Sequence, residues 1–527
     1  MRMRNLSEGK RWRNTEEDGR RGPSAERGAP QSGRYRKTSE PSTRRGVPED
    51  TGKKKKSRKN RNREFAAVTY FTVALFLVLI GYIFYFNLFK SQDIINSPYN
   101  ERQDAYADKV ERGSILASDG QVLAKDVTNS DGSVSREYPF SNIFAHVAGY
   151  DVNGKSGLES VENFKLLTSN AFFLEKIQND LQNKKNPGDN VITTLDVSLQ
   201  KAAYNALGDN KGAVVAIEPS TGKILAMVSK PDFDPNTVAD EWTSLNEDAN
   251  GDSALLNRAT QGLYPPGSTF NILTSLEFTR ENSDYASYTY TCDGSITKGE
   301  TTIQCFDRTV HGKEDLTLSF ANSCNSSFAN IGLMLDGDSF KSTCESLLFN
   351  TELPGPLNCA KSSFTLNSSS GYATKMMTAM GQGDTLVSPY HMALITSAIA
   401  NGGTLMTPYL VDRIENESGA VVTQNAPETY KKLMTSGEAS VLTQLMEAVV
   451  NEGTGVDLSY GDYTVAGKTG TAEYSSDKSK SHSWFTGFSN VDNPDLVVCV
   501  VVEDYDGNRS ARSIPIAKSV FDAYHSK

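Results

Sequence analysis

The pattern of apolar and polar positions divides the chain into three parts. Residues 1–64 are almost wholly polar, and residues 65–89 contain no charged side chain. An apolar run of that length can span a bilayer as a helix with some tilt. A cleaved signal peptide would have a shorter apolar core and would not follow 64 polar residues. The pattern therefore predicts a transmembrane helix over 65–89.

The third part alternates between strand and helix patterns. Apolar runs bounded by turn residues predict strands, whereas apolar residues on one face of a 3.6-residue period predict a helix. Strand patterns near both ends of this part surround a helical middle. This order predicts an α+β fold, with one antiparallel sheet, helices packed on it and a helical lobe beside it. The predicted strands are 191–195, 212–217, 223–228, 463–474 and 496–502, and the predicted helices include 198–207, 392–400 and 515–524.

Residues 90–190 have few long helical patterns. Two short apolar stretches around Asp119-Gly120 indicate a hairpin between residues 112 and 124. We interpret 90–190 as a smaller, mainly-β pedestal domain that holds residues 191–527, the main domain, away from the membrane.

Charge is distributed unevenly about the apolar segment. Residues 1–64 carry 21 Lys and Arg against 9 Asp and Glu, although the whole chain has a net charge of −10. The positive-inside rule places this basic tail in the cytoplasm and residues 90–527 outside. The tail is poor in apolar residues and is predicted to be disordered. Its charge suits anionic lipid headgroups, so nucleic-acid binding is not needed to explain it.

All six cysteines follow the membrane segment, in a compartment that permits disulfides. Cys292 and Cys305 flank a short Gly, Ser and Thr-rich loop and are the preferred disulfide candidates, with Cys344 and Cys359 as a weaker pair. Cys499 lies in a run of valines and is predicted to be a small buried residue. No grouping of Cys and His has the usual metal-ligand spacing, so no metal site is predicted.

The stretch Gly262–Asn271 contains two glycines and two prolines and leads into an apolar-periodic run. This pattern predicts a loop that feeds a helix N-terminus, with Ser268 in the first turn. A serine at that place is usually only a helix cap. Unpaired backbone N–H groups and the helix dipole there also favour developing negative charge, as a nucleophilic serine requires.

Two stretches downstream favour the nucleophile. Ser323-Cys324-Asn325 and Lys468-Thr469-Gly470 follow Ser268 in the order expected of a penicillin-binding serine acyl-transferase. Nearly all of the chain after the membrane segment resembles class B penicillin-binding proteins, the monofunctional peptidoglycan D,D-transpeptidases. The other stretches that carry this resemblance are Arg112-Gly113-Ser114-Ile115, Gly157-Leu158-Glu159, Thr194-Leu195-Asp196, Glu218–Gly222, Asp232–Asn236, Asn257-Arg258-Ala259, Gly381-Gln382-Gly383, Ala400–Gly403 and Trp484–Phe488.

The resemblance implies a role for each motif residue. Ser268 would attack the carbonyl of a D-Ala-D-Ala stem peptide and form an acyl-enzyme. The N–H groups of Ser268 and Thr471 would form the oxyanion hole, and Gly470 would let the substrate backbone approach. Lys468 and Thr469 would hold the donor carboxylate. Asn325 would bind the substrate amide, and Ser323 would relay a proton to the departing amine.

Asn271 departs from the family pattern, because it stands where the Ser-x-x-Lys motif has lysine. That lysine would lie one helical turn from the serine and take its proton, whereas an amide is neutral and cannot act as a base. Three accounts remain open at this point. Lys468, directly or through Ser323, replaces the missing base; the protein is a pseudo-enzyme; or Asn271 is an engineered or erroneous residue in an active enzyme.

The functional hypotheses follow from these observations. The first is a membrane-anchored D,D-transpeptidase of cell-wall synthesis without a cofactor, acylated by β-lactams that resemble its stem-peptide substrate. The second is a non-catalytic scaffold of the wall-synthesis machinery, and the third is a D,D-carboxypeptidase that transfers the acyl group to water. The resemblance also implies glycosyltransferase and divisome or elongasome membrane proteins as partners.

Overall fold

The computed structural model describes residues 59–89, 109–248, 251–473, 480–505 and 512–526. The tail that is predicted to be disordered, residues 1–64, lies almost entirely outside the described residues. Residues 90–108, the first part of the predicted pedestal domain, also lie outside them. The helices, numbered in chain order, are α1 (Lys59–Phe89), α2 (Ala145–Ala148), α3 (Gly157–Val161), α4 (Asn163–Leu166), α5 (Phe173–Leu181), α6 (Val197–Leu207), α7 (Val238–Glu247), α8 (Asn271–Glu281), α9 (Leu316–Ala321), α10 (Asn325–Met334), α11 (Gly337–Ser346), α12 (Tyr372–Ala379), α13 (Pro389–Ala400), α14 (Ser436–Glu452) and α15 (Ser513–His525).

Nineteen strands are found in the described residues, and most are short. They are β1 (Val110–Glu111), β2 (Ile115–Leu116), β3 (Val122–Thr128), β4 (Val134–Glu137), β5 (Asn186–Pro187), β6 (Asn190–Thr193), β7 (Gly212–Ile217), β8 (Ile224–Lys230), β9 (Thr289–Cys292), β10 (Ser295–Lys298), β11 (Thr301–Gln304), β12 (Gly312–Asp315), β13 (Thr404–Met406), β14 (Val411–Glu415), β15 (Val421–Gln424), β16 (Thr429–Lys432), β17 (Val465–Glu473), β18 (Ser481–Ser489) and β19 (Val497–Tyr505).

The central sheet has five strands in the order β17-β18-β19-β7-β8, and every neighbouring pair is antiparallel. Successive residues of β7 point to opposite faces, as strand geometry requires. Val215 packs in the main core, whereas Val214 packs in a second core beneath α6 and α15. Burial on both faces explains why these strands read as continuous apolar runs, and β17 is left as an edge strand of the sheet.

Helix α13 crosses the inner face of the sheet and is buried at every position. Its start is well defined, because Ser388 accepts a hydrogen bond from the N–H of His391 and Pro389 occupies the first helical position. Helices α9, α10, α11, α12 and α14 form the lobe beside the sheet. Helix α14 begins with a capping box in which Thr435 and Glu438 each accept from the other's backbone N–H. The predicted α+β architecture is confirmed.

Residues 109–190 combine strands with short helices, so this segment is mixed in character rather than mainly β. Leu158 and Leu166 lie on the short helices α3 and α4, and both are fully buried in the main core. The six-stranded sheet of this region has the order β15-β14-β6-β2-β3-β4. Two of its strands, β14 and β15, come from residues 411–424. The domain boundary at 190 stays a prediction, since this sheet is built from both sides of it.

The N-terminal helix α1 contains a 22-residue apolar span, Phe65–Phe86, with a mean hydropathy of 2.3. Its large apolar side chains from Phe65 to Tyr85 are exposed. A helix this long and this apolar is suited to a lipid environment. Length and composition agree with the predicted transmembrane segment at 65–89.

Candidate active site

Ser268 lies in a 3-10 turn, Gly267–Phe270, that continues directly into α8. The turn is closed by Thr269, whose hydroxyl donates to the carbonyl of Pro266 over 2.8 Å. Ser268 is half-buried, whereas its neighbours Thr269 and Phe270 are fully buried. The buried neighbours therefore hold the turn in place and leave the serine hydroxyl accessible.

Glycine is required at position 267. Its backbone has φ of +54°, and a Cβ atom there would lie 2.5 Å from the carbonyl oxygen of Thr471. Its N–H donates to the carbonyl of Gly381 over 2.9 Å. The turn that carries Ser268 therefore packs closely against the edge strand β17 on one side and contacts Gly381 on the other.

The Lys468-Thr469-Gly470 motif lies on β17, at the same contact. A Cβ atom at Gly470 would lie 3.0 Å from both the carbonyl of Pro266 and the methyl group of Thr269. Such close approach is the reason for a glycine in the interior of this strand. The structure therefore brings the third motif directly against the turn that carries Ser268.

Lys468 is fully buried, and its ammonium group has only neutral partners among those described. Its Nζ donates to the hydroxyl of Ser323 over 2.9 Å and to the carbonyl of Thr469 over 3.0 Å. No ion pair joins it to a carboxylate within the described residues. Burial without a counter-charge favours the neutral amine and lowers the pKa of Lys468 to about 7. An amine with that pKa can accept a proton near neutral pH.

The second motif connects α9 to α10. Ser323 has φ of +54°, an unusual left-handed conformation for serine, and its N–H donates to the carbonyl of Phe320 over 3.2 Å. Its side chain meets Lys468 from that position. Asn325 is the first residue of α10, and its side-chain amide donates to the carbonyl of Gln304 over 3.0 Å. Ser323 and Lys468 are therefore one hydrogen-bonded unit, while Asn325 contacts the β11 hairpin.

Asn271 is the first residue of α8 and is 2% exposed. Its side-chain oxygen has no hydrogen-bond partner among the described atoms. An unpaired buried carbonyl of this kind is costly, and buried polar groups in proteins are usually satisfied. Position 271 is thus buried and lies one turn beyond Ser268, and its amide side chain leaves one polar atom without a hydrogen bond among the described residues.

Several contacts of the site were not predicted. The hydroxyls of Thr454 and Thr469 are 2.6 Å apart, Gln382 donates to the carbonyl of Thr471 over 3.5 Å, and the Trp484 indole donates to the carbonyl of Pro265 over 3.0 Å. Gln382 and Trp484 belong to stretches on which the family resemblance rests, so a role in the site could have been suspected. Thr454 follows the end of helix α14, and the sequence around it contains no motif that would indicate a role in the site.

Comparison with known proteins agrees with this geometry. The family model described as the penicillin-binding protein transpeptidase domain matches residues 212–523, and that of the penicillin-binding protein A dimerisation domain matches residues 112–191. The first match alone covers more than half of the chain. The chain belongs to the penicillin-binding transpeptidase family.

Relatives and solved structures of this family cover most of the chain. The peptidoglycan D,D-transpeptidase PbpA of Mycolicibacterium smegmatis is 32% identical over 486 residues, which is 87% of this chain and 97% of the relative. The crystal structure of PBPA from Mycobacterium tuberculosis matches with a TM-score of 0.72 and 29% identity, covering 78% of this chain and 98% of that one. An imipenem acyl-enzyme complex of penicillin-binding protein A from M. tuberculosis matches with a TM-score of 0.71 and 29% identity over 79% of this chain and 99% of the other.

The family assignment confirms the predicted fold class and the resemblance to class B penicillin-binding proteins. The assignments of individual site residues stay predictions, including the oxyanion hole at Ser268 and Thr471. The domain limits at 64, 89 and 190 also stay predictions.

The predicted Cys292–Cys305 disulfide stays a prediction. The two cysteines are neighbours, with their sulfur atoms 3.6 Å apart and no bond drawn between them. Cys324 and His311 join them, so that four potential metal ligands lie within 4.8 Å of one another. The sequence spacing did not indicate a metal-ligand group, because the four residues come from separate hairpins and a helix start that only the fold brings together.

Proposed function

We propose that this chain is a membrane-anchored peptidoglycan D,D-transpeptidase in which Lys468 replaces the base missing at position 271. The observation that carries the proposal is the hydrogen bond of 2.9 Å between the buried Lys468 amine and the Ser323 hydroxyl. The lowered pKa of Lys468, about 7, lets a large fraction of this amine be unprotonated at neutral pH. A general base whose pKa is near the working pH is the most effective kind.

The acylation step uses these groups in sequence. The Ser268 oxygen attacks the carbonyl between the two D-alanines of the donor stem peptide and forms an ester. Its proton passes through the Ser323 hydroxyl to the Lys468 amine. The same path returns the proton to the amine of the departing D-alanine. Base assistance of this kind is worth about 10²- to 10⁴-fold in rate.

Deacylation runs the path in reverse. The amine of a second stem peptide attacks the ester and gives its proton to Lys468 through Ser323. An amide forms, the ester C–O bond breaks, and the same proton returns through Ser323 to the departing Ser268 oxygen. During acylation, before the terminal D-alanine departs, Thr469 holds the donor carboxylate with the help of Thr454, and Asn325 binds the stem-peptide amide. The backbone N–H groups of Ser268 and Thr471 stabilise the oxyanion. A carboxypeptidase would use water in place of the second amine.

The apolar helix anchors the enzyme in the membrane. Basic residues before residue 65 favour a cytoplasmic N-terminus, so residues 90–527 act on the outer side. Glycosyltransferase and divisome or elongasome proteins are the partners that such a topology favours.

Fluorescent-penicillin labelling of the full-length chain in detergent tests the proposal. The unmodified chain should label slowly, and Ser268→Ala should not label. Asn271→Lys restores the motif and should label up to about 10²- to 10⁴-fold faster. The absence of an adduct in the unmodified chain at every penicillin concentration would contradict the proposed chemistry.

A non-catalytic scaffold is the second candidate, because the neutral Asn271 side chain stands where the Ser-x-x-Lys motif has its basic lysine. Growth of a strain depleted of the protein separates the two functions. A transpeptidase requires Ser268 for growth, whereas a scaffold supports growth as Ser268→Ala. Product analysis with a stem pentapeptide and an acceptor amine distinguishes cross-linked product from the tetrapeptide that a carboxypeptidase releases.

A further inference from the structure

We propose that Cys292, Cys305, His311 and Cys324 bind one structural zinc ion. Three thiolates and one imidazole are a ligand set that zinc commonly takes in closed, four-coordinate sites. The three cysteines are 3% exposed or less, and His311 is half-buried. The four ligand atoms lie within 4.8 Å of one another.

The ligands come from four places that the fold brings together. Cys292 ends strand β9, Cys305 follows strand β11, and His311 precedes strand β12. Cys324 is the N-cap residue of α10. Strands β9 and β12 pair with Gly312 opposite Cys292, which places His311 beside that cysteine. Two hairpins and a helix start would thus be joined at one point.

Three distances between neighbouring ligand atoms are close to those of a tetrahedral zinc site. With Zn–S bonds of about 2.3 Å and tetrahedral angles, two sulfur ligands should lie roughly 3.8 Å apart. The Sγ atoms of Cys292 and Cys305 are 3.6 Å apart, and those of Cys305 and Cys324 are 3.8 Å apart. The Cys292 Sγ lies 3.3 Å from Nδ1 of His311, which leaves Nε2 as the nitrogen that faces away.

The surroundings support thiolates. The Cys292 sulfur accepts a hydrogen bond from the Ser326 hydroxyl over 3.1 Å and another from the backbone N–H of Gly294 over 3.4 Å. Cys324 lies at the N-terminus of the ten-residue helix α10. Such outer hydrogen bonds orient metal ligands and stabilise their charge.

The site would also position the second catalytic motif. Cys324 stands between Ser323, which contacts Lys468, and Asn325, which contacts Gln304 beside Cys305. Zinc would therefore hold the left-handed turn at Ser323 in place and act on the reaction only through that turn. This consequence rests on the proposed function, whereas zinc binding itself does not.

Metal analysis of the full-length chain, purified in detergent without chelator, tests the proposal. We expect one zinc per chain, lost in both Cys292→Ser and Cys324→Ser. Cys359→Ser is the matched control, because this cysteine lies outside the cluster and should keep the full zinc content. Cobalt exchanged into the unmodified chain should give the intense thiolate charge-transfer and tetrahedral d–d bands of a cysteine-rich site.

Thiol titration separates a metal site from a disulfide. Denaturation with a chelator and without reductant should release six reactive thiols if the cluster binds zinc, and four if two of its cysteines are bonded. A chain that contains four thiols, or that binds no zinc and gives no cobalt bands, would overturn the proposal. These readouts do not depend on penicillin labelling, so a failed transpeptidase hypothesis and a failed zinc site remain distinguishable.

Discussion

Two buried cations of this protein have opposite surroundings. Arg136 is 2% exposed and donates to Glu159 over 2.7 Å and to Asp126 over 2.9 Å. Burial lowers its pKa, but the two carboxylates more than offset this, and the net shift is upward. Lys468 is equally buried, has a hydroxyl and a carbonyl as partners, and its pKa falls to about 7. The two pKa shifts have opposite directions because Arg136 has carboxylate partners and Lys468 has none among the described residues.

This contrast separates a structural cation from a chemical one. A guanidinium held by carboxylates stays protonated and fixes the geometry of its region. An amine buried among neutral groups loses its proton readily, as catalytic lysines do. We therefore expect mutations of Arg136 to act on stability and mutations of Lys468 to act on acylation.

The largest expected effect is that of Lys468→Met. Removing the amine while keeping the chain length should slow penicillin acylation of Ser268 by about 10²- to 10⁴-fold, because the proton acceptor is lost. A time course of fluorescent-penicillin labelling measures the acylation rate. Lys230→Met is the matched control, since Lys230 donates to the carbonyl of Gly208 outside the site and should not affect the rate. An unchanged rate in Lys468→Met would remove this lysine from the mechanism.

Arg136→Met should have the next largest effect, and on stability. It leaves Glu159 with Arg112 as its remaining cationic partner, and breaking a buried pair costs about 3–5 kcal/mol. Thermal unfolding in detergent should show the loss, while the acylation rate per folded molecule should change little. The surface pair Lys125–Glu137 supplies the control, because Lys125→Met should cost less than about 1 kcal/mol. An Arg136→Met variant that keeps its thermal stability but acylates slowly would contradict the assignment of Arg136 as a structural cation.

The pH dependence of stability should differ between the unmodified chain and Lys468→Met. The folded pKa of Lys468, about 7, lies below its ordinary value of 10.5. Between these values the unfolded chain binds more protons, so the free energy of unfolding should rise with pH by up to about 1.4 kcal/mol per pH unit. Subtracting the profile of Lys468→Met isolates this contribution. Parallel profiles would show that Lys468 remains charged when folded.

The smallest expected effect is that of Thr454→Val. It removes the hydroxyl that lies 2.6 Å from the Thr469 hydroxyl, a hydrogen bond worth about 1 kcal/mol. Acylation should therefore slow several-fold, whereas Thr454→Ser keeps the hydroxyl and the rate. A larger loss in Thr454→Ser than in Thr454→Val would show that the methyl group, and not the hydroxyl, is what matters.

Elements with strong local patterns could be predicted from the sequence. The hairpin of β7 and β8, the edge strand around Lys468-Thr469-Gly470 and the fully buried helix α13 all have periodic apolar residues bounded by turn residues. The loop before α8 was predicted from its prolines and glycines, although the first turn is 3-10 rather than α-helical. Such signals lie within a few residues of one another and do not depend on the rest of the fold.

Features that depend on distant contacts could not be predicted. The pedestal sheet takes two strands from residues 411–424, some 220 positions away from β6 along the chain. The neutral surroundings of Lys468 and the unpaired oxygen of Asn271 depend on how the lobe meets the sheet. The Cys and His cluster spans 33 residues without a short metal-binding spacing. Three cysteines and one histidine within that span were the one available signal.

The pH profile of penicillin acylation at Ser268 tests the central claim most directly. It is measured on the full-length unmodified chain across the neutral range, with Ser268→Ala as the blank and Lys468→Met alongside. We expect the rate to rise with pH around a midpoint near 7, the pKa of Lys468, and this rise to be absent in Lys468→Met. No adduct at any pH, or the same pH-independent rate in both proteins, would contradict the assignment of Lys468 as the base.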